Sequence, residues 1–216
     1  MYIAVEGAIG VGKTSLARLL QPSFNANLLL EIFEENPFLS KFYEDRSRYA
    51  FQTQIFFLLS RYHQQRKSVP QMVSTERGLI SDYTFDKDPL FAKINLANDE
   101  LDMYYSVHRA LAEKIPSPDL IIYLRASTDV LMHRITLRDR PYERAMERAY
   151  IQQLNEAYDE YFLQDQPGQP VLVIDSNELD FVHNEDDLQW VDNRIRQRLR
   201  MPPFQIELPI SDGGVE

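Results

Sequence analysis

Gly7-Ala8-Ile9-Gly10-Val11-Gly12-Lys13-Thr14 fits the pattern G-x-x-x-x-G-K-[ST] and directly follows the apolar run Tyr2-Ile3-Ala4-Val5. A strand therefore delivers the chain into a glycine-rich turn, and Thr14-Ser15-Leu16-Ala17-Arg18-Leu19-Leu20 reads as the helix that leaves it. In that context the pattern is a phosphate site. Backbone N–H groups from Gly7 to Ser15 wrap a polyphosphate, and the helix N-terminus adds the positive end of its dipole. Lys13 is expected to reach the β- and γ-phosphates, and the Thr14 hydroxyl to hold Mg²⁺. The expected ligand is a nucleoside triphosphate, which leaves the question of what receives its phosphate.

Glu31, at the end of a second apolar run, is placed to face the γ-phosphate across a cleft. There a carboxylate accepts the proton of an attacking hydroxyl. It also disfavours an acceptor that already carries a phosphate, because like charges repel in a low-dielectric site. The acceptor is therefore read as a nucleoside. Gln54 and Arg61 stand seven apart on one helical segment, pointing within about 20° of each other. Gln can bond an amide-like base edge bidentately and Arg can pair with Asp82. Glu76, after a run ending Val73-Ser74-Thr75, suits the Mg²⁺ shell, with Arg77 beside it for the 5′-oxygen or the moving phosphoryl group. Arg134, Arg138 and Arg140 precede Pro141-Tyr142-Glu143 and read as an arginine-rich lid over about 134–144 that brings charge onto the phosphoryl group. Glu143 then reaches a sugar hydroxyl when the lid closes.

Five apolar runs must position these groups: Tyr2 to Val5, Leu28 to Ile32, Met72 to Thr75, Leu120 to Leu124 and Val171 to Ile174. Longer helical segments separate them, among them Ser47 to Lys67 and Asn98 to Ile115. This alternation predicts an α/β fold, a five-stranded parallel sheet with helices on both faces. Ligands in such sheets sit at the carboxyl ends of the strands, which is where Glu31, Glu76, Arg77, Arg125 and Asp175 are expected. Residues 1–199 are read as one domain. The tail 200–216, with Pro202, Pro203, Pro209 and Gly213-Gly214, is expected to be extended and partly disordered.

The 216-residue chain carries 23 Lys and Arg against 33 Asp and Glu, a formal charge of -10. That balance argues against a nucleic-acid partner, whose phosphates must be neutralised. The absence of cysteine excludes disulfides and thiolate metal sites and fits a cytoplasmic setting. The longest apolar run, Ile55 to Leu59, is too short to span a membrane. With a strand expected from residue 2, no signal peptide is expected ahead of it.

Together these residues resemble the deoxyribonucleoside kinase family, the P-loop kinases of deoxynucleosides, over residues 2 to about 199. The likeness to bacterial purine deoxynucleoside kinases runs through Glu31-Ile32-Phe33-Glu34-Glu35-Asn36-Pro37-Phe38-Leu39, Phe42-Tyr43-Glu44-Asp45, Tyr49-Ala50-Phe51-Gln52-Thr53-Gln54 and Arg140-Pro141-Tyr142-Glu143. The resemblance implies transfer of the ATP γ-phosphoryl group, with Mg²⁺, to a deoxynucleoside 5′-hydroxyl. It implies Glu31 as base, Tyr43 and Glu143 on the 3′-hydroxyl, and Gln54 on the nucleobase. Glu76-Arg77 matches the family's Glu-Arg-Ser motif, with Gly78 in place of Ser. Arg134, Arg138 and Arg140 match the lid arginines, and Asp175 to Phe181 the loop beside the adenine of ATP. Arg61 and Asp82 fall where purine- and deoxycytidine-accepting members place an Arg–Asp pair, which implies a purine substrate. Asn36 stands where several animal members carry Trp. A homodimer, through the Asn98 to Ile115 helix and a neighbour, and feedback inhibition by a deoxynucleoside triphosphate are implied as well. Deoxycytidine-preferring or broad specificity, a thymidylate-type monophosphate kinase and a non-catalytic nucleotide-binding subunit are the rival readings.

Overall fold

Five short strands whose side chains are mostly apolar have no polar face to turn to water, so they pair side by side and are covered by helices on both faces. In the computed structural model, which describes residues 1–33, 35–164 and 170–202 (Asp86 by its backbone alone), these are β1 (Tyr2–Glu6), β2 (Ala26–Leu29), β3 (Gly78–Ser81), β4 (Leu120–Arg125) and β5 (Val171–Asp175). They form one parallel sheet in the order β2-β3-β1-β4-β5. β1 lies in the middle and is buried along its whole length. The strand order reverses around β1, so the turn that follows it opens at the crevice where such sheets bind ligands.

Among the described residues eight α-helices accompany the strands: α1 (Lys13–Ser23), α2 (Leu39–Glu44), α3 (Arg46–Val73), α4 (Asp88–Asn95), α5 (Asn98–Ala112), α6 (Thr128–Arg138), α7 (Arg148–Phe162) and α8 (Glu185–Leu199). Asp45 caps α3 by accepting from the Arg48 backbone N–H at 3.2 Å. Core side chains include Ile3, Leu16, Leu58, Ile80, Ile122 and Tyr158. Among the described residues no helix is long and apolar enough to cross a membrane.

The sheet departs from expectation at two strands. β2 ends at Leu29, so Glu31 stands on the connection beyond it rather than within it. Met72 to Thr75 is not a strand: α3 runs through Pro70 to Val73, and β3 begins at Gly78. Pro70 sits in the closing turns of α3, where the single N–H it lacks interrupts little. As a result Glu76 and Arg77 precede β3, at the end of the sheet opposite the P-loop, and both are exposed. Neither belongs to a cleft formed at the carboxyl ends of the strands, and Glu76-Arg77-Gly78 is not the counterpart of the family's Glu-Arg-Ser motif. The residues that leave β3 on the correct side are Asp82 and Tyr83. The expected tail lies, from residue 203 onward, outside the described residues.

Candidate active site

The P-loop joins β1 to α1, and its glycines are there for steric reasons. Gly7 has φ 147°, and a Cβ on it would come within 2.4 Å of the Leu124 carbonyl oxygen. Gly12, with φ 105°, forms the N-cap of α1 and faces the Phe181 ring. Lys13 and Thr14 thus occupy the first helical positions, beside N–H groups that no helical carbonyl satisfies. Lys13 Nζ donates to the Gly7 carbonyl at 2.7 Å and the Ala8 carbonyl at 3.1 Å. Burial, then the neighbouring Lys87 charge, lowers its pKa to about 8.

Asp82 ties the two sides of the cleft together. Its Oδ2 accepts from the Thr14 hydroxyl at 2.5 Å, and its Oδ1 from the Glu31 backbone N–H at 2.8 Å. The sequence leads one to expect an Arg61–Asp82 pair, and the structure does not have it. Arg61 instead donates to Glu31 Oε1, from Nε at 2.8 Å and from Nη2, and through Nη1 to the buried Asp88. The other Glu31 oxygen, Oε2, accepts from Lys87 Nζ at 2.5 Å. Burial alone would raise the Glu31 pKa, but Arg61 and Lys87 outweigh it and hold the carboxyl well below the usual range. Glu31 is therefore an ionised acceptor at neutral pH.

Around this centre lies a cleft open to solvent. Lys13, Thr14, Asp82 and Lys87 line its inner end together with Glu31 and Arg61. Tyr43, Gln54, Thr53, Phe57 and Phe91 line the part over α3 and α4, and Arg138, Arg140, Tyr142 and Glu143 close it from the lid. Gln54 is buried on α3, as is Arg61 seven residues further on. Asn36 braces this stretch of α3, donating through Nδ2 to the Thr53 carbonyl at 3.3 Å and accepting from the Phe38 N–H. In the lid, Arg138 donates to both oxygens of buried Glu143, at 2.7 and 2.5 Å, and Arg140 lies 3.7 Å from one of them. The Arg140 guanidinium also sits 4.3 Å from the Phe33 ring centroid, while Tyr142 stacks on Tyr43. Burial, with Tyr150 and Glu143 nearby, raises the Tyr43 pKa, so its phenol stays a neutral donor.

Arg134 does not line the cleft with the other two lid arginines. It donates to the Val11 carbonyl at 3.2 Å, the Ser176 hydroxyl at 3.1 Å and carbonyl at 2.7 Å, and the Leu179 carbonyl at 3.3 Å. It fastens the P-loop to the 176–181 loop. Asp175 itself is exposed and accepts from Asn177, away from the cleft.

Sequence reasoning missed Lys87 and Asp88, which α4 and the turn before it bring onto Glu31 and Arg61. It also missed Glu6, fully buried beneath the cleft. Glu6 accepts from the Thr84 N–H and hydroxyl and from Tyr158, and burial raises its pKa. Placing β3 at Gly78–Ser81 would have exposed these signals, because Asp82, Thr84, Lys87 and Asp88 follow it closely.

The oxygens of Thr14 and Asp82 are hard donors set side by side at the helix N-terminus. They suit Mg²⁺, which takes one or two protein oxygens and completes its shell with phosphates and water. Among the described residues no cluster of three or more His, Asp or Glu side chains offers a protein-only metal site.

The deoxynucleoside kinase family model matches residues 3–200. Deoxyguanosine kinase of Bacillus subtilis is 36% identical over 199 residues, covering 91% of this chain and 96% of its own. Deoxyadenosine kinase of Dictyostelium discoideum is also 36% identical, over 88% of this chain and 77% of its own. The deoxyadenosine kinase from M. mycoides with bound dATP superposes with a TM-score of 0.79 at 29% identity, covering 91% of this chain and all of that one.

Proposed function

Because the chain belongs to the deoxynucleoside kinase family, we propose that it phosphorylates the 5′-hydroxyl of a deoxynucleoside, a purine by preference, at the expense of ATP. The observation that carries this reading is Glu31, an ionised carboxylate held by Arg61 and Lys87 and linked through Asp82 to the P-loop threonine.

The γ-phosphate of the donor lies against the α1 N-terminus and Lys13, and the base end of ATP against the 176–181 loop. Thr14 and Asp82 hold Mg²⁺, which when bound offsets charge on the β- and γ-phosphates. Glu31 accepts the hydrogen bond, and in the transition state the proton, of the 5′-hydroxyl. Lys87 takes the place proposed from sequence for Arg77: a buried cation at the junction of base, acceptor oxygen and moving phosphoryl group. Arg138 and Arg140 supply the outer positive charge. Little covalent chemistry falls to the protein, so this positioning and charge complementarity carry the rate.

On the acceptor side, Tyr43 and Glu143 hold the 3′-hydroxyl and Gln54 the nucleobase. The named substrates of the relatives, deoxyguanosine and deoxyadenosine, support a purine. Residues 1–199 form the kinase domain and 200–216 the tail. A cytoplasmic homodimer, using the half-buried side chains of α5, completes the reading.

Purified protein with ATP, Mg²⁺ and each deoxynucleoside in turn tests it. Purine monophosphates are expected, and no monophosphate from any nucleoside refutes the reading. A higher kcat/KM for thymidine than for deoxyadenosine and deoxyguanosine removes the purine preference.

A further inference from the structure

Thr53 lines the acceptor cleft immediately before Gln54. It is 1% exposed, and its Oγ1 has no hydrogen-bond partner among the described residues. A threonine inside a helix ordinarily turns its hydroxyl back onto the carbonyl three or four residues earlier. This one does not, and a buried hydroxyl left without a partner is costly. Valine has the same shape and would avoid the cost. No described residue uses the hydroxyl, which leaves a molecule in the cleft as the partner to test, and the next residue along α3 is Gln54, the side chain placed on the nucleobase.

Toward a single base edge the Gln54 amide presents one donor and one acceptor. That pair matches the N7 acceptor and 6-amino donor of adenine, but guanine shows two acceptors, N7 and O6, on the same edge. Read by Gln54 alone, a 6-oxopurine would leave the amide oxygen facing another acceptor. A hydroxyl donates in whichever direction it is turned. We propose that Thr53 is a specificity-determining residue: its hydroxyl supplies the second donor that a 6-oxopurine base needs beside Gln54, so that one cleft accepts both 6-amino and 6-oxo purine deoxynucleosides.

This rests on the deoxynucleoside kinase reading, and the experiment separates the two. The wild-type protein, Thr53→Val and Thr53→Ser are assayed with deoxyadenosine and deoxyguanosine at saturating ATP. Thr53→Val is expected to lower the ratio of kcat/KM for deoxyguanosine to that for deoxyadenosine by about tenfold, the worth of one hydrogen bond left unmade. The loss is expected in KM, and Thr53→Ser restores the ratio. The melting temperature of Thr53→Val without nucleoside is expected to stay level or rise, because an unpaired buried hydroxyl has gone. A ratio that stays within about threefold of wild type, equal losses for both nucleosides, or a ratio that Ser does not restore overturns the assignment of Thr53 while leaving the kinase reading intact. A wild-type protein that phosphorylates neither purine overturns both.

Discussion

Lys87 Nζ lies 2.5 Å from Oε2 of Glu31, and the two side chains are only 3% and 15% exposed. With Arg61 on the other oxygen, the carboxylate is gripped by two cations. Breaking one partner of such a buried set is far more disruptive than the net worth of the pair, since it leaves charge uncompensated. Lys87→Met is therefore expected to lower kcat at least about a hundredfold, with a smaller change in KM for ATP. Steady-state kinetics on a variant shown to be folded by circular dichroism checks this. A kcat within about threefold of wild type would remove Lys87 from the phosphoryl-transfer site.

Glu31→Gln keeps the shape of the side chain but reverses part of its chemistry. The carboxamide oxygen still accepts from Arg61, yet the NH₂ group now meets the Lys87 ammonium, donor against donor. It also cannot take a proton. We expect kcat to fall by about 10²–10⁴-fold. Nucleoside affinity, set mostly by Gln54, Tyr43 and Glu143, is expected to weaken by less than about tenfold, read by calorimetry. If turnover survives nearly unchanged, Glu31 is not the base.

Much of this centre is legible in the sequence, and the rest fails for local reasons. β1, β4 and β5 are continuous apolar runs bounded by polar turns, so pattern alone places them. β3 offers only Leu79 and Ile80 between Gly78 and Ser81, and it competes with Met72-Val73 just upstream. Pro70 looks like a helix stop, so the second pair reads as the strand. That one displacement shifts two proposed roles: the Mg²⁺ carboxylate, read at Glu76 and proposed at Asp82, and the cation beside the base, read at Arg77 and proposed at Lys87. Glu31 follows from what must stand opposite the P-loop, Gln54 and Arg61 from their seven-residue spacing and Glu143 from the arginines before it, whereas Tyr43 rests on the family resemblance alone; all five line one cleft. Which partner each would choose was not written in spacing: Arg61 prefers Glu31 and Asp88 because α4 packs on α3, a contact far along the chain.

The displacement is itself testable. Glu76→Ala and Arg77→Ala alter exposed groups at the far end of the sheet, so kcat and KM for both substrates are expected to stay within about twofold of wild type. Asp82→Asn alters the oxygen that accepts from the Thr14 hydroxyl. It is expected to raise the Mg²⁺ concentration for half-maximal rate by about tenfold or more and to lower kcat. Activity titrated against Mg²⁺ separates the two positions. A loss at Arg77 with none at Asp82 would restore the sequence-based assignment.

The arginines of the lid segment are expected to part company in kinetics. Arg134 holds Val11, Ser176 and Leu179, all on the donor side. Arg134→Met frees the 176–181 loop from the P-loop, so KM for ATP should rise about tenfold while KM for the nucleoside changes little. Arg138 and Arg140 reach the cleft and Glu143. Arg138→Met should therefore lower kcat and raise KM for the nucleoside, because Glu143 loses the partner that orients it. Equal effects of both variants on both substrates would contradict this division.

Lys13 fixes the alkaline limb of the reaction. Its pKa, lowered to about 8 by burial and then by the Lys87 charge, means that the ammonium is protonated below that pH and neutral above it in the free enzyme. Only the charged form attracts the β- and γ-phosphates. The profile of kcat/KM for ATP, which reports groups of the free enzyme, is therefore expected to fall above about pH 8. Bound ATP adds negative charge beside the ammonium and raises its pKa, so the limb in kcat should lie at higher pH. Glu31, its pKa held low, is ionised throughout this window and contributes no limb of its own. Replacing Lys87 by Met removes the like charge that helps depress Lys13, which should carry the kcat/KM limb upward on whatever activity remains. A profile flat through pH 9, or a limb that Lys87→Met does not move, would show that the two ammonium groups are not coupled.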